Sequence, residues 1–394
     1  MKYLLCSLYG LLLTGLVQAQ AVKKITPAPA APAYAPIPDS VTGSAASMAG
    51  YLAAHHKNQR DMLKSLFGWM STHITYDMVN TFRPDYYKDS ADAVIKTLQT
   101  RTAVCQGFAA LFTEVSRLAG IPALLLSGYT FSNGRMDNAS HAWVAVWLDN
   151  QWQIVDPTWG SGYTMNGKYT AKLDWKQFLV APAVSVKTHV PFDPLFQFSE
   201  YPLRHEEIRD AKWTAGAARP LFGYKDTLAA YESATYLDRI RSMAGRIDRY
   251  GVTNQLIAAE LHYLMNVIRV EQHNQEVTAQ NGQVHRLNEA GSVYNMVVNT
   301  FNDYVVFKNN QFAPSKPDKE IQEWVNGMAT KLDDAGRMLN GLELTDAANR
   351  RVMEETKVSI TQLKQRVVEE QAFVAKYVKT GRLFRKSLFY KLVF

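Results

Sequence analysis

The chain has 394 residues, 47% of them apolar, with 43 basic and 36 acidic side chains and a formal net charge of +7. That length predicts two domains, and the apolar share supports a core in each. The modest charge gives no reason to expect a nucleic-acid partner, and the two cysteines, Cys6 and Cys105, exclude a disulfide-built scaffold.

Residues 1–19 read as a signal peptide. Lys2 supplies the positive end, Leu4 to Val17 the apolar stretch, and Val17-Gln18-Ala19 or Ala19-Gln20-Ala21 the small-residue cleavage site. The stretch is too short for a membrane span. Cys6 lies inside it rather than after it, which argues against a lipid anchor. The expectation is an exported protein, periplasmic or extracellular in a bacterial source, with Cys105 as its one remaining thiol. A single cysteine in an oxidising compartment points to intermolecular pairing or to a reactive thiol, and its neighbours favour the second.

Residues 20–43, rich in Ala and Pro, predict an extended linker. Met62, Leu63, Leu66, Phe67 and Met70 recur at helical spacing and lead into His73-Ile74-Thr75-Tyr76-Asp77. Asp92 to Leu98 predicts a short helix. A second helical face, Phe108, Leu111, Phe112, Val115 and Leu118, follows Cys105 and stops at Gly120 and Pro122. Strands are predicted over Ala123–Ser127, His141–Leu148 and Trp152–Asp156, with turns at Asn133-Gly134 and Asp149-Asn150. These belong to a domain over residues 44–224.

From residue 225 the pattern changes to long helices. One stripe is Tyr236, Ile240, Met243, Ile247 and Tyr250; the next is Ile257, Leu261, Leu264 and Ile268. Heptad-like seams follow through Leu287, Tyr294 and Phe301 and through Met353, Ile360, Val367 and Val374, with Ile321, Trp324, Met328, Leu332 and Leu339 between them. Residues 225–394 therefore predict an all-α antiparallel bundle or a short coiled-coil-like array. Its end carries Lys376, Lys379, Arg382, Arg385, Lys386 and Lys391 with no acid from residue 372 onward. A solvated basic tail is the plain reading, and an acidic envelope polymer or a membrane surface is the alternative contact.

The chemistry concentrates around Cys105. A thiolate is the working nucleophile, and the unpaired N–H groups at a helix start favour that anion. Gln106 and Gly107 leave the first turn approachable, and the Cys105 N–H is a natural oxyanion donor. If Asp149-Asn150 is an even-membered turn, opposed residues sum to 299, so Asp156 faces Trp143. His141 then lies diagonal to Asp156 on the same face, roughly 7–8 Å away between backbones. A thiol, an imidazole and a carboxylate in that arrangement are the parts of an acyl-transfer site.

The strings Val104-Cys105-Gln106-Gly107-Phe108-Ala109, Gly120-Ile121-Pro122-Ala123, His141-Ala142-Trp143 and Asp156-Pro157-Thr158-Trp159-Gly160 together resemble the transglutaminase-like core. They are similar in particular to the branch with the kyphoscoliosis peptidase and exported bacterial proteins. Trp69, Ile74-Thr75-Tyr76-Asp77 and Thr188-His189-Val190-Pro191 before Phe196-Gln197 fit that branch, over about residues 48–208. The resemblance implies an α+β papain-like fold, with Cys105 as nucleophile, His141 as base and Asp156 as its orienter. Animal transglutaminases carry a tryptophan directly after the cysteine, where Gln106 stands here, and Ala103 stands where many bacterial relatives have glycine. Their calcium-binding segments have no counterpart, so calcium dependence does not carry over and no cofactor or metal is expected.

Plainer roles fall to the neighbours. Trp143, Trp152 and Trp159 read as packing around the site, and Tyr76 and Asp77 as structural support, with an oxyanion donor as the alternative. His189 belongs to a structural turn without chemistry, and His55 and His56 lack ligand-spaced partners. The expected function is an exported cysteine acyl-transfer enzyme acting on a peptide or protein substrate, with hydrolysis preferred. Protein-glutamine transamidation is the alternative within that chemistry, and a non-catalytic peptide-binding scaffold the alternative outside it. The partner of the bundle is left open.

Overall fold

The computed structural model describes residues 34–83, 85–209 and 219–390. The predicted signal peptide and the linker as far as residue 33 lie outside these. Two compact units divide the chain, Met1–Tyr224 and Lys225–Phe394.

Residues 34–43 are not an extended tether. Ile37 is 4% exposed and Thr42 is fully buried, and a short 3-10 helix spans Asp39–Val41. The Tyr34 hydroxyl lies 2.9 Å from Thr72 Oγ1, and its ring crosses Gly68 so closely that a Cβ there would sit 2.3 Å from it. The Ala/Pro composition hid these anchors, because Ile37 and Val41 are apolar residues that the core can bury.

Helix α1 (Ala45–His55) follows an Ser44 cap and α2 (Gln59–His73) an Asn58 cap, each side-chain oxygen accepting a backbone N–H of the first turn. Strand β1 (Thr75–Tyr76) comes next, then α3 (Ser90–Thr100), capped by Asp89. Arg101 closes α3 in the left-handed region and turns the chain into β2 (Thr102–Ala103), which pairs in parallel with β1. Helix α4 (Cys105–Leu118) buries Phe108, Leu111, Phe112 and Val115 completely. Leu118, expected on that face, is 50% exposed. Four residues on from Val115, Ala119 packs against the core in its place.

A five-stranded antiparallel sheet is built from β3 (Ala123–Ser132), β4 (Arg135–Met136), β5 (His141–Leu148), β6 (Gln151–Val155) and a later strand. Strand β5 lies between β3 and β6. All its residues but Trp147 are buried, and α4 packs against it. A hairpin of β7 (Gly162–Met165) and β8 (Lys168–Ala171) follows, then α5 (Pro182–Ser185). The later strand, β9 (His189–Pro191), returns to the far edge of β3. Gly128 permits this return, since a Cβ there would lie 2.2 Å from the Val190 carbonyl oxygen and 2.6 Å from the Trp143 ring. Helix α6 (His205–Arg209) is the last helix that lies wholly within the first unit.

The elements of the second unit are all helices: α7 (Tyr224–Ser233), α8 (Tyr236–Tyr250), α9 (Gln255–Asn309), α10 (Asp318–Leu339) and α11 (Ala347–Lys379), with a 3-10 helix after them. The two sequence segments read as separate stripes, one from Ile257 and one from Leu287, form one continuous 55-residue helix. Its second half packs with α10 and α11 around Leu287, Val297, Phe301, Tyr304, Met328, Leu332, Ile360 and Val367. Gln280 and Arg286 reach the end of α10 and the loop after it, whereas Tyr304 meets Trp324 near the start of α10, so α9 and α10 run antiparallel. In α8, Tyr236 is 60% exposed and Leu237 is buried instead. No helix among the described residues is long and apolar enough to cross a membrane.

Candidate active site

Cys105 is the first residue of α4, half-buried, behind a Val104 cap that offers no side-chain acceptor. The helix therefore presents its positive end to the sulfur without a competing side chain. The parallel β1–β2 pair, continued by the Asp77 N–H donating to the Ala103 carbonyl at 2.9 Å, brings Tyr76 beside Cys105.

His141 opens β5, and the hairpin that follows sets the position of Asp156. Asp149 and Asn150 both take positive φ, 53° and 59°, the conformation of a two-residue turn matched to sheet twist. Val144 pairs with Val155 and Leu148 with Gln151, so opposed residues sum to 299. Asp156 stands just past the end of β6, and its Oδ2 lies 2.8 Å from His141 Nε2. The other ring nitrogen, Nδ1, is left for the hydrogen bond that joins His141 to the Cys105 thiol.

Asp156 is 2% exposed and fully engaged. Its Oδ1 accepts the Thr158 N–H at 2.8 Å and the Trp159 N–H at 3.1 Å. Its Oδ2 is shared between His141 and a second imidazole, His189 Nε2, at 3.0 Å. His189 is 3% exposed, and its Nδ1 lies 2.9 Å from the Thr188 hydroxyl. The ring therefore bridges the Asp156 carboxylate and the Thr188 hydroxyl. Trp143 and Trp159 flank both rings; Trp143 stacks on His141 at 6.1 Å, and Trp159 meets His189 edge-on at 4.6 Å.

Charge follows from this packing. Burial opposes ionisation of Asp156, but the His141 charge and the hydrogen bonds from His141 and His189 hold its carboxyl well below the usual carboxylate range. Burial also opposes protonation of His141, yet Asp156 and the Cys105 thiol together raise its pKa to about 10. Burial alone would push the Cys105 thiol up; the hydrogen bond and charge of His141 and a bond from the Ala142 backbone bring it below its ordinary value. Thiolate and imidazolium thus stabilise each other. Tyr76 moves the other way, to about 12, through burial and then the nearby Cys105 charge, so its phenol keeps its proton as a donor.

A cleft of about 610 Å³ opens over Cys105 and His141, walled by Tyr76, Phe82, Trp159, Tyr163 and Tyr169. Residues 46–157, which span the thiol, the imidazole and the carboxylate, match the family model of the transglutaminase-like superfamily. The first unit holds a transglutaminase-like core. Proteins of this superfamily are typically cysteine-based enzymes. The human kyphoscoliosis peptidase is 31% identical over 150 residues, which is 36% of this chain and 22% of that protein. The uncharacterized protein YebA of Bacillus subtilis is 28% identical over 152 residues, 35% of this chain and 20% of its own length. The chain thus covers less than a quarter of either relative. Among solved structures, the periplasmic domain of TgpA from Pseudomonas aeruginosa aligns at 28% identity and a TM-score of 0.25, over 29% of this chain and 42% of that one.

Within the transglutaminase-like core, Cys105, His141 and Asp156 come together, and three sequence expectations need correction. Gly107 does not face an incoming acyl group. It points inward, where a Cβ would lie 2.5 Å from the Tyr87 hydroxyl and 2.6 Å from Thr97 Oγ1, so its task is to let α3 and α4 pack. Trp152 packs away from the site, stacked on Phe198 at 5.3 Å. His189 is part of the polar cluster rather than of a remote turn; the signal was a lone histidine inside the apolar Val190-Pro191 strand. His141, Asp156 and His189 place ligand-type atoms within 4.8 Å of one another, a spacing a metal ion could use. Here both Nε2 atoms are directed at the carboxylate instead. His56 Nε2 bonds Ser65 and His55 Nδ1 bonds the Tyr51 carbonyl.

Proposed function

We propose that the chain is an exported cysteine-dependent acyl-transfer enzyme that hydrolyses peptide or carboxamide bonds, with Cys105 as nucleophile, His141 as proton shuttle and Asp156 as its orienter. The observation that carries this reading is the unbroken hydrogen-bonded row from thiol to imidazole to saturated carboxylate at the floor of an open cleft. Export rests on the Met1–Ala19 sequence.

In this mechanism the Cys105 thiolate attacks the carbonyl carbon, and the carbonyl π pair moves onto oxygen. The Cys105 N–H at the helix start and the Tyr76 phenol are the donors for that oxyanion. Collapse of the adduct breaks the C–N bond as His141 gives its Nδ1 proton to the departing nitrogen, leaving a thioester. A water molecule then loses a proton to His141 and attacks the thioester carbonyl. The acid leaves and the thiolate–imidazolium pair returns. Asp156 stays ionised throughout and keeps Nε2–H of His141 directed at itself, which fixes Nδ1 toward the sulfur.

Iodoacetamide alkylation of Cys105 across pH tests the ion pair. Labelling is expected well below the ordinary thiol pKa of about 8.5, and the pair should persist until His141 loses its proton near pH 10. His141→Ala should return the profile to that of an ordinary thiol; a parent profile that is already ordinary would sink the proposal. Incubating the protein with a peptide library, with and without a primary amine, separates hydrolysis from transamidation. Turnover that survives Cys105→Ala would leave only a scaffold role for the cleft.

A further inference from the structure

The segment after α11 is fastened to the bundle by some residues and leaves others largely exposed. A 3-10 helix covers Arg382–Phe389. Arg385 holds it down: its guanidinium donates to both Asp318 carboxylate oxygens, at 2.7 and 2.6 Å, and lies 4.6 Å over the Tyr377 ring. Phe389 adds a second anchor, with its ring 5.3 Å from Phe312 and 5.5 Å from Phe373. Just ahead of the first anchor Leu383 is 93% exposed and Phe384 70% exposed, and Tyr390 follows the second at 64%. Arg382 and Lys386 beside them, and Lys376 and Lys379 at the end of α11, are exposed as well. No acid occurs from residue 372 onward.

We propose that this segment is a docking site for an anionic phospholipid bilayer. Single exposed apolar side chains are ordinary on protein surfaces. What selects the occupant is the pairing of two largely exposed apolar side chains with four exposed cations, two at the end of α11 and two on the anchored element. A soluble polyanion would attract the cations and gain nothing from Leu383 and Phe384. A bilayer takes both, with headgroup phosphates beside the lysines and arginines and the acyl boundary beneath the apolar pair. Stable attachment needs two such signals, since either alone is marginal. Anchoring by Arg385 and Phe389 lowers the ordering cost, because the segment already has its backbone conformation before it meets the lipid.

The test uses the full chain and a readout local to the segment, so that the apolar Leu4–Val17 stretch does not confuse it. Amide hydrogen exchange over residues 382–390 is measured alone, with phosphatidylcholine vesicles, and with vesicles that also contain phosphatidylglycerol. Exchange should slow by about tenfold or more only with the anionic vesicles, and the protection should weaken as salt is raised. Leu383→Ser with Phe384→Ser should abolish it, and Arg382→Gln and Lys386→Gln should each weaken partitioning roughly fivefold at low salt. Unchanged far-ultraviolet circular dichroism and thermal unfolding would show that the variants keep their fold. The proposal is overturned if exchange at 382–390 ignores the vesicles or responds equally to neutral ones. Equal protection by a soluble polyanion would overturn it in favour of a polymer partner. Protection that grows with protein concentration in the absence of lipid would overturn it in favour of a second copy of the chain.

Discussion

In the N-terminal unit, Cys105 and His141 line a solvent-reached cleft, with Asp156 and His189 buried behind them. In the C-terminal unit, Tyr304 donates to Glu370 at 3.0 Å, Lys308 pairs with the same carboxylate, and the Lys308 ammonium lies 4.0 Å over the Phe373 ring. Both clusters hold titratable groups far from their ordinary behaviour; burial and the Glu370 charge raise the Tyr304 phenol strongly. They differ in what is left over. The helical cluster is closed on itself and fixes the register of α9 against α11. The other leaves a sulfur facing open space. A shifted pKa therefore marks chemistry only where a cleft reaches an atom that the network does not consume.

This contrast can be broken at either end. Asp156→Asn should cut turnover by on the order of 10⁴-fold, since the amide no longer stabilises the imidazolium or its tautomer. A loss below tenfold in steady-state kinetics would remove Asp156 from the mechanism. His189→Gln should lower kcat by about a hundredfold or less while leaving KM nearly unchanged, because it acts on the orientation of Asp156 rather than on substrate. A change in KM alone would place His189 in substrate binding. A third prediction concerns pH. Burial holds the imidazole of His205 down at about 4, whereas an unfolded histidine titrates near 6.5. Between those values the unfolded chain binds more protons, so stability of the N-terminal unit should fall as pH drops from 6.5 towards 4, by at most about 3 kcal/mol. Urea unfolding of His205→Gln should show a flatter slope in that window. The smallest effect is expected from Tyr304→Phe, a loss of about 1 kcal/mol in the C-terminal unit with peptide turnover unchanged. Altered turnover would show that the two units are coupled.

The parts of the site that were legible in the sequence are those governed by local rules. Asp149-Asn150 fixes the parity of one hairpin, and parity alone puts Asp156 on the face of His141. Gly120 and Pro122 mark the end of the helix that Cys105 begins. What was hidden depends on pairings distant in sequence. His189 reaches Asp156 from 33 residues away, and only because β9 docks on an edge of β3 that Gly128 leaves clear. The inward direction of Gly107 was equally invisible, since it depends on Tyr87 and Thr97 of a neighbouring segment. In the helical unit the heptad seams identified the core, but nothing in the spacing revealed that one helix carries both the Ile257 stripe and the Leu287 seam.

That long helix has an unusual distribution of local stability. Its buried residues stop at Leu264 and resume at Leu287, a gap of roughly 35 Å along the axis. From Gln272 to Ala279 every side chain is exposed, and the tertiary ties resume with Gln280, Gln283, Val284 and Arg286. Helices usually fray from their ends. This one is held at both ends and is softest at its waist, where it can open without either apolar cluster coming apart.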